Sequence, residues 1–245
     1  MKITVINGTG KRGVTYRLKE MFLTRFEPNS GTKEITEFCL PKDCPCFCGG
    51  CMRCCVEDES KCKDFEYVRH IAKAIMEADL VVMTSPAYAM HATGAMEALL
   101  DHFAPRWMPH RPAPEMFGKR AVIITQCLGV GAKQAAKDIK RNLSWWGISD
   151  IRVFTGALME NIVWDGLSEK RKNKLTAKIE RLSKRTSRIN FDKPAHTSIA
   201  TKLKFTICRF IQKKLYKKNA DYADAAYWHS RGWLGRSRPW KPRSK

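Results

Sequence analysis

The chain begins Met1-Lys-Ile-Thr-Val-Ile-Asn7-Gly-Thr-Gly10-Lys-Arg-Gly13-Val-Thr15. Its first residues, Lys2 to Ile6, are mostly β-branched and predict a buried strand. Residues 7–13 are small, hydroxylated, amide or basic, and apolar residues then recur at helical spacing from Thr15 to Phe26. A strand, a glycine-rich turn and a helix can bind phosphate, because backbone N–H groups and the helix N-terminus point at the anion. The turn matches neither G-x-G-x-x-G nor the nucleotide P-loop, so an ordinary strand-to-helix turn is the alternative.

The composition fits an α/β domain with an appendage. The chain has 245 residues, 44% of them hydrophobic, which is enough for a substantial core. No apolar run is long enough to span a bilayer, and no charged leader precedes an apolar segment at the N-terminus. We therefore expect a cytoplasmic location, where the ten cysteines are reduced. Clustered cysteines then indicate metal or redox chemistry more often than disulfides.

The positive charge is concentrated at one end of the sequence. Residues 166–245 hold 23 of the 45 Lys and Arg but 5 of the 24 Asp and Glu, a net charge of +18, against +3 for residues 1–165. A basic attachment of this kind suggests an accessory surface. We divide the chain into a domain at 1–188 and a basic, Trp-containing extension at 189–245.

Strands and helices are predicted to alternate along the domain. Further strands are expected at Glu34–Leu40, Leu80–Met83, Arg120–Cys127 and Ile151–Thr155, the last with an option to extend to Leu158. Helices are expected at Asp64–Ala78, with Asp64 available as a cap, and at Thr93–Phe103, Ala132–Trp146 and Ser168–Arg188. This alternation predicts a five-stranded parallel sheet with helices on both faces.

Ligands of such sheets bind beyond the carboxyl ends of the strands. Three loops at this edge, Thr9–Thr15, Ser85–Ala89 and Thr125–Gly131, are rich in small or hydroxyl-bearing residues. Their coincidence is better support for a ligand site than any single loop.

Three motifs resemble those of the flavodoxin-like NAD(P)H-dependent FMN reductases, including the iron–sulfur flavoproteins. Residues 7–15 are similar to the phosphate loop of that family. Ser85-Pro86-Ala87-Tyr88 resembles its Ser-Pro-x-Tyr turn, which lines the flavin ring, and residues 93–102 resemble the helix that follows. Glu97 and His102 depart from the Lys and Arg that are usual in this helix. The resemblance covers roughly residues 1–185.

The resemblance implies a flavodoxin-like three-layer sandwich with strand order 2-1-3-4-5. It also implies FMN as the bound cofactor, NAD(P)H as co-substrate and a homodimer or higher homo-oligomer, with a small molecule or a redox protein as electron acceptor. No acid–base catalytic residue is required, because the cofactor performs the chemistry. The predicted cofactor-binding residues are Thr9, Lys11, Arg12, Gly13, Val14, Thr15, Ser85, Pro86, Ala87, Tyr88, Ala89, Gln126 and Gly129. Packing in the core is the alternative role for Tyr88, and solvated charge is the alternative for Lys11 and Arg12.

The cysteine-rich loop, residues 44–62, carries Cys48, Cys51, Cys54 and Cys62 in the pattern C-x2-C-x2-C-x7-C. This spacing resembles the cluster site of the iron–sulfur flavoproteins and implies a 4Fe-4S cluster. Zinc bound by four cysteines is one alternative, and free or redox-active thiols are another. Four further cysteines near this loop leave the ligand set ambiguous: Cys39, Cys44, Cys46 and Cys55.

The extension contains a predicted basic amphipathic helix at 199–216. Its apolar residues are Ile199, Leu203, Ile207, Phe210, Ile211 and Leu215, and Lys and Arg fill much of the remainder. We expect this apolar stripe to dock on the α/β body or on a partner subunit. Peripheral contact of residues 199–218 with an anionic membrane is the alternative. No dedicated nucleic-acid site is expected, although Trp228, Trp233 and Trp240 alternate with Arg.

Together these features predict an FMN-dependent NAD(P)H oxidoreductase, with electrons passing through the flavin, and through a 4Fe-4S cluster if one is bound, to an acceptor. One alternative is a flavin and iron–sulfur electron carrier that does not use NAD(P)H. The other is a membrane- or nucleic-acid-associated binding protein with a metal-stabilised cysteine loop.

Overall fold

The structure, a computed structural model, describes residues 1–29 and 31–241. Five strands form one sheet in the order β2-β1-β3-β4-β5, and every neighbouring pair is parallel. The strands are β1 Lys2–Asn7, β2 Glu34–Cys39, β3 Leu80–Pro86, β4 Arg120–Cys127 and β5 Asp150–Ala157. The predicted sheet and its strand order are therefore confirmed.

The strand β3 is longer than predicted. It continues past Met83 to Pro86, because Ser85 pairs with Thr125 and Pro86 with Gln126 of β4. β2 ends at Cys39 rather than Leu40. The extra length of β3 carries the Ser-Pro turn to the edge of the sheet, beside the end of β4.

Helices cover both faces of the sheet. They are α1 Val14–Arg25, α2 Arg53–Val56, α3 Phe65–Glu77, α4 Gly94–His102, α5 Ala132–Trp146, α6 Glu169–Ser187, α7 Ile199–Lys218 and α8 Ala223–Ser230. One apolar core joins the sheet to α3, α4 and α5, and a second joins it to α1 and α6. Alternate residues of β3 enter the two cores, Val81 and Met83 on one side and Leu80 and Val82 on the other. This placement explains why residues 80–83 of β3 are continuously apolar.

The helix starts agree with the sequence in two places and differ in one. The side chain of Thr93 caps α4 by accepting from Met96 N–H, and Ser168 caps α6 by accepting from Arg171 N–H. Asp64 precedes α3, but no side-chain cap bond forms there within the described residues. Its carboxylate instead lies 3.1 Å from Nε2 of His102, so Asp64 has the predicted cap position but its side chain does not make the cap bond.

The extension packs on the body through aromatic residues. Trp228 and Trp233 are buried in a third core, where Phe205 of α7 stacks on Trp228 with ring centroids 4.7 Å apart. Phe117 of the body contacts Phe205 edge-on at 5.9 Å. These buried rings serve internal packing, which leaves them unable to stack on bases. Among the described residues, no helix is long and apolar enough to cross a membrane.

Candidate functional site

The loops after β1, β3 and β4 meet around one cleft of about 350 Å³, which we call the strand-end cleft. Parallel strands bring these loops together because all of their carboxyl ends share one edge. The cleft is lined by Thr9, Lys11, Gly13, Val14, Thr15, Pro86, Ala87, Tyr88, Gln126, Cys127, Leu128 and Ile162. Nine of the predicted cofactor-binding residues are therefore in one place.

The end of β1 is held tightly against β3 and α4. Gly8 N–H donates to Thr84 O at 2.7 Å, and Thr93 Oγ1 donates to Gly8 O at 2.5 Å. A Cβ at Gly8 would lie 2.9 Å from both Thr84 O and Thr93 Oγ1. A side chain therefore does not fit at this point, and the loop that follows starts from a fixed position.

The N-terminus of α1 faces the cleft with free donors. Gly13 precedes the helix, and no side chain in the described part of the chain caps its first turn, which leaves backbone N–H groups for an anion. Thr15 is buried, and its Oγ1 has no hydrogen-bond partner among the described residues. An unpaired buried hydroxyl costs free energy unless a ligand bonds to it. The residues present therefore fit the phosphate of FMN.

The two basic residues of the first loop differ in position. Lys11 lines the cleft, and its N–H donates to Thr9 Oγ1 at 3.2 Å. Arg12 lies over the ring of Tyr16, with its guanidinium carbon 5.5 Å from the centroid, and is not among the lining residues. Of the two, Lys11 is thus better placed to contact a bound phosphate.

Helix α1 carries a buried cation, Lys19. Lys19 Nζ contacts carboxylate oxygens of Glu20 and Glu37, each at 2.5 Å. Burial by itself would lower the pKa of Lys19, but the hydrogen bonds and charges of the two carboxylates outweigh it and raise that pKa. Lys19 therefore remains charged, with its positive charge balanced within the protein.

The Ser-Pro turn places Ser85 and Tyr88 in different environments. Ser85 is fully buried, where its Oγ accepts from Thr93 N–H at 3.0 Å and donates to Pro86 O at 2.8 Å. Its side chain is thus occupied in joining β3 to α4. Tyr88 is 51% exposed at the cleft, so the alternative of a core aromatic does not apply.

Residues 88–91 form a tight hairpin beside the cleft. Tyr88 and His91 exchange two backbone hydrogen bonds of 3.0 Å, and the central residues Ala89 and Met90 have φ values of 47° and 70°. Left-handed conformations are unfavourable for such residues and often occur at ligand sites. A Cβ at Gly131 would lie 2.8 Å from Met90 Cα, so glycine at that position lets the hairpin pack closely.

The loop after β4 forms another wall of the strand-end cleft. Gln126 lines the cleft, and its buried Oε1 has no partner among the residues described. Ala87 N–H donates to Gln126 O at 2.7 Å, which fixes the Ser-Pro turn against this wall. Gly129 lies outside the cleft and lines an adjoining cavity. Sequence reasoning did not nominate Cys127, Leu128 or Ile162 as cofactor-binding residues, and Ile162 belongs to no motif.

The adjoining cavity, of about 470 Å³, shares Cys127 with the strand-end cleft and has a basic wall. Burial lowers the pKa of Lys178, and the charges of Lys174 and Lys133 lower it further. No acidic residue lines this cavity within the described part of the chain. The cations therefore repel one another and favour an anionic ligand.

The four thiols of the predicted cluster site are near one another but do not converge on one point. Burial raises the pKa of Cys54, and the charges of Cys62, Cys48 and Cys51 raise it further. Tetrahedral zinc would bring sulfur atoms to about 3.8 Å from one another. Among the described residues, the one group of potential ligands with all ligand atoms within 4.8 Å does not contain all four thiols. The four thiols are therefore not gathered as closely as a single zinc ion requires.

The group of ligands that does converge is Cys62, Asp64 and His102. Nδ1 of His102 is 2.7 Å from Ala98 O, so this nitrogen donates and Nε2 faces Asp64. A metal ion bound by both Nε2 and the carboxylate would fit this contact of 3.1 Å. Metal-bound histidines usually donate their other N–H to an acceptor in this way. Sequence spacing missed Asp64 and His102 as potential ligands, because they are on different elements.

A buried arginine holds the cysteine-rich loop. Arg111 donates to Cys55 O at 2.8 Å and also to Cys54 O. The same guanidinium contacts Asp224 Oδ1 of α8 at 2.5 Å, and His110 Nδ1 lies 2.7 Å from the other oxygen of Asp224. The C-terminal extension therefore supports the cysteine-rich loop, a link that the sequence does not reveal.

Comparison with known proteins identifies relatives of most of the α/β domain. Residues 1–159 match the family of NADPH-dependent FMN reductases. The chain is 28% identical to an iron-sulfur flavoprotein of Archaeoglobus fulgidus over 111 residues, 45% of this chain and 48% of that protein. The chain thus spans about half the length of that curated relative.

Solved structures share the fold at low sequence identity. An azoreductase from Bacillus anthracis is similar with a TM-score of 0.59 and 16% identity, over 77% of this chain and all of that one. An FMN-dependent NADH-azoreductase from Bacillus anthracis, solved in complex with FMN, gives a TM-score of 0.56 and 14% identity, over 76% and 100% of the two chains. At these identities the likeness supports the flavodoxin-like fold.

Proposed function

We propose that this chain, which belongs to the family of NADPH-dependent FMN reductases, binds FMN in the strand-end cleft and oxidises NAD(P)H. The observation that carries the proposal is the buried Thr15 Oγ1 beside the N-terminus of α1, since no described residue bonds to this hydroxyl or caps the helix by its side chain. FMN, when bound, supplies the chemistry by accepting a hydride from NAD(P)H and passing electrons to an acceptor. The protein supplies binding and orientation.

The residues of the cleft divide this work. Thr15, Lys11 and the first N–H groups of α1 hold the phosphate. The turn at Pro86 and the hairpin at Tyr88 form the wall against the flat ring, and Gln126 offers it an amide oxygen that no described residue engages. Ser85 acts indirectly, by fixing this turn to α4.

The basic cavity next to the cleft suits the phosphates of the dinucleotide. Lys133, Arg171, Lys174 and Lys178 line it, and it meets the cleft at Cys127. We expect the 2′-phosphate of NADPH to be favoured there over the hydroxyl of NADH. A Lys174→Ala variant should raise KM for NADPH several-fold and leave KM for NADH nearly unchanged, while equal changes for both would argue against this role.

A homodimer would cover the apolar rim of the cleft. Tyr88, Met90, Leu128, Met159 and Ile162 are each at least half exposed around the cleft and the adjoining loops. Exposed apolar groups in this number are typical of a contact surface. Light scattering on the purified protein measures the mass, and a monomer at micromolar concentration would contradict the dimer.

FMN titration and anaerobic reduction test the central proposal. FMN should bind to the purified chain with quenching of its fluorescence, and NADPH or NADH should then bleach its visible bands. Binding without bleaching by either nucleotide would favour the electron-carrier alternative. A chain that does not bind FMN would contradict the proposal and favour the alternative of a binding protein.

For the cysteine-rich loop we propose a 4Fe-4S cluster bound by Cys48, Cys51, Cys54 and Cys62. The C-x2-C-x2-C-x7-C spacing of these cysteines supports it, as does the similarity to an iron-sulfur flavoprotein. Such a cluster would pass electrons singly to the acceptor.

The convergence of Cys62, Asp64 and His102 favours a second candidate, a single zinc ion. Metal analysis after anaerobic purification separates the two. A cluster gives iron and sulfide that are lost in Cys48→Ser and kept in His102→Gln. A mononuclear site gives zinc that is lost in His102→Gln and kept in Cys48→Ser.

A further inference from the structure

Helix α7 attaches to the body by a face other than the predicted one. Its buried residues are Thr201, Phe205, Cys208 and Gln212, which recur at intervals of three or four and therefore share one side of the helix. Gln212 Nε2 donates to Pro109 O at 2.6 Å. The expectation that the stripe of Ile and Leu docks on the α/β body is therefore wrong, because a different set of residues fills that contact.

The predicted stripe lies on the opposite side of α7 and is exposed. The exposed fractions are 82% for Ile199, 60% for Leu203, 53% for Ile207, 60% for Phe210 and 45% for Ile211. These residues also recur at intervals of three and four, so they form a continuous row, which we call the apolar stripe. An exposed row of this size marks a contact surface rather than scattered apolar residues.

The charge around the apolar stripe is entirely positive. Residues 199–218 contain seven Lys and Arg and no Asp or Glu. None of the seven makes an ion pair with any residue that the structure describes. Lys213, Lys214, Lys217 and Lys218 are exposed near the C-terminal end of the stripe, and Lys214 Nζ lies 4.6 Å from the ring centre of Phe210. The surface therefore needs a partner that is both apolar and anionic.

We propose that α7 binds the surface of an anionic lipid bilayer, with the apolar stripe entering the acyl boundary and the lysines contacting lipid phosphates. A basic amphipathic helix of this kind lies in the plane of the membrane. A second copy fits poorly, because pairing two α7 helices would bring their uncompensated positive charges together. Nucleic acid would neutralise the charge but leave the aliphatic row in water. This inference is independent of flavin binding.

Co-sedimentation of the full chain with vesicles tests the proposal. The protein should pellet with phosphatidylcholine vesicles that contain phosphatidylserine, and far less with phosphatidylcholine alone. Leu203→Ser, Ile207→Ser and Phe210→Ser together should reduce binding at least tenfold. Two triple charge variants separate the local charge of α7 from the net charge of the protein. Binding should be abolished in the α7 variant, which combines Lys213→Glu, Lys217→Glu and Lys218→Glu. Most of it should remain in the α6 variant, which combines Lys170→Glu, Arg181→Glu and Lys184→Glu.

Retention of FMN binding and of the circular dichroism spectrum shows that each variant is folded. The proposal is overturned if anionic vesicles do not pellet the wild-type protein, or if the apolar triple variant pellets as well as wild type. It is also overturned if that variant loses an oligomer seen without vesicles, which would assign the stripe to a second copy. Tighter binding to RNA or to an acidic protein than to the vesicles would equally contradict it.

Discussion

The strand-end cleft and the cysteine-rich loop follow neighbouring strands but are built differently. The cleft is formed by residues bonded directly to the sheet, as where Gly8 N–H donates to Thr84 O and Ala87 N–H to Gln126 O. The cysteine-rich loop has little regular structure. It is held by Arg111, which bonds to the loop and pairs with Asp224, far away in sequence. The sheet therefore preforms the first site, while contacts remote in sequence hold the second.

The largest effect that would test this contrast is expected at Asp224. Asp224→Asn leaves the buried guanidinium of Arg111 without its anion, and breaking such a pair costs about 3–5 kcal/mol. Urea unfolding should show that loss, and metal content should fall while FMN affinity of the folded protein stays within about twofold. Asp221→Asn, at an exposed position, is the control. Equal stability of the two variants would show that the contact between Asp224 and Arg111 does not hold the cysteine-rich loop.

The next effect concerns the fixed start of the phosphate loop. Gly8→Ala places a Cβ 2.9 Å from a backbone carbonyl and from Thr93 Oγ1, and such overpacking costs about 3 kcal/mol. FMN affinity should fall as well, because the loop shifts. Gly10→Ala is the matched control, since among the described residues no atom beyond its chain neighbours lies within 4 Å of the added Cβ. Calorimetry that gives the same melting temperature for both would show that the loop start is adaptable.

A smaller effect separates binding from stability within the cleft. Thr15→Val removes a hydroxyl without a partner in the described residues, so the free energy of unfolding should change little. FMN should bind about 2 kcal/mol more weakly, roughly 30-fold in Kd, because a bond to a charged phosphate is lost. Thr4→Val is the control. It should lower the free energy of unfolding and leave FMN affinity unchanged, since Thr4 Oγ1 donates to Ala74 O at 2.8 Å. Unchanged flavin affinity in Thr15→Val would show that the phosphate does not bind at Thr15.

The smallest effect on stability is expected in the cysteine-rich loop itself. Cys48 is exposed, so Cys48→Ser should change the free energy of unfolding of the metal-free protein by less than about 0.5 kcal/mol. Iron should nevertheless be lost. Cys208→Ser, at a buried position in the third core, should destabilise the protein and keep the iron. If Cys48→Ser retains iron, this thiol is not a ligand.

Local sequence predicted much of the fold and of the strand-end cleft. The strand Arg120–Cys127 and the helix Ala132–Trp146 have the predicted bounds, because apolar periodicity and glycine at the helix ends act within a few residues. Ile162 was missed as part of the cleft wall because it lies on an irregular loop. The docking face of α7 was wrong because the hydrophobic pattern favoured the aliphatic stripe over Thr201, Phe205 and Gln212.

By itself the sequence determined the parallel sheet, its strand-end loops and the family, since strands, turns and helices follow from periodicity and turn chemistry. Only the tertiary structure decided what each loop contacts. It left the Thr15 hydroxyl without a partner in the part of the chain that is described, brought Asp64 to His102, tied the cysteine-rich loop to α8 through Arg111, and turned the apolar stripe of α7 outward. The physical reason is that these outcomes depend on which groups satisfy one another across long sequence separations, and local propensity carries no information about those pairings.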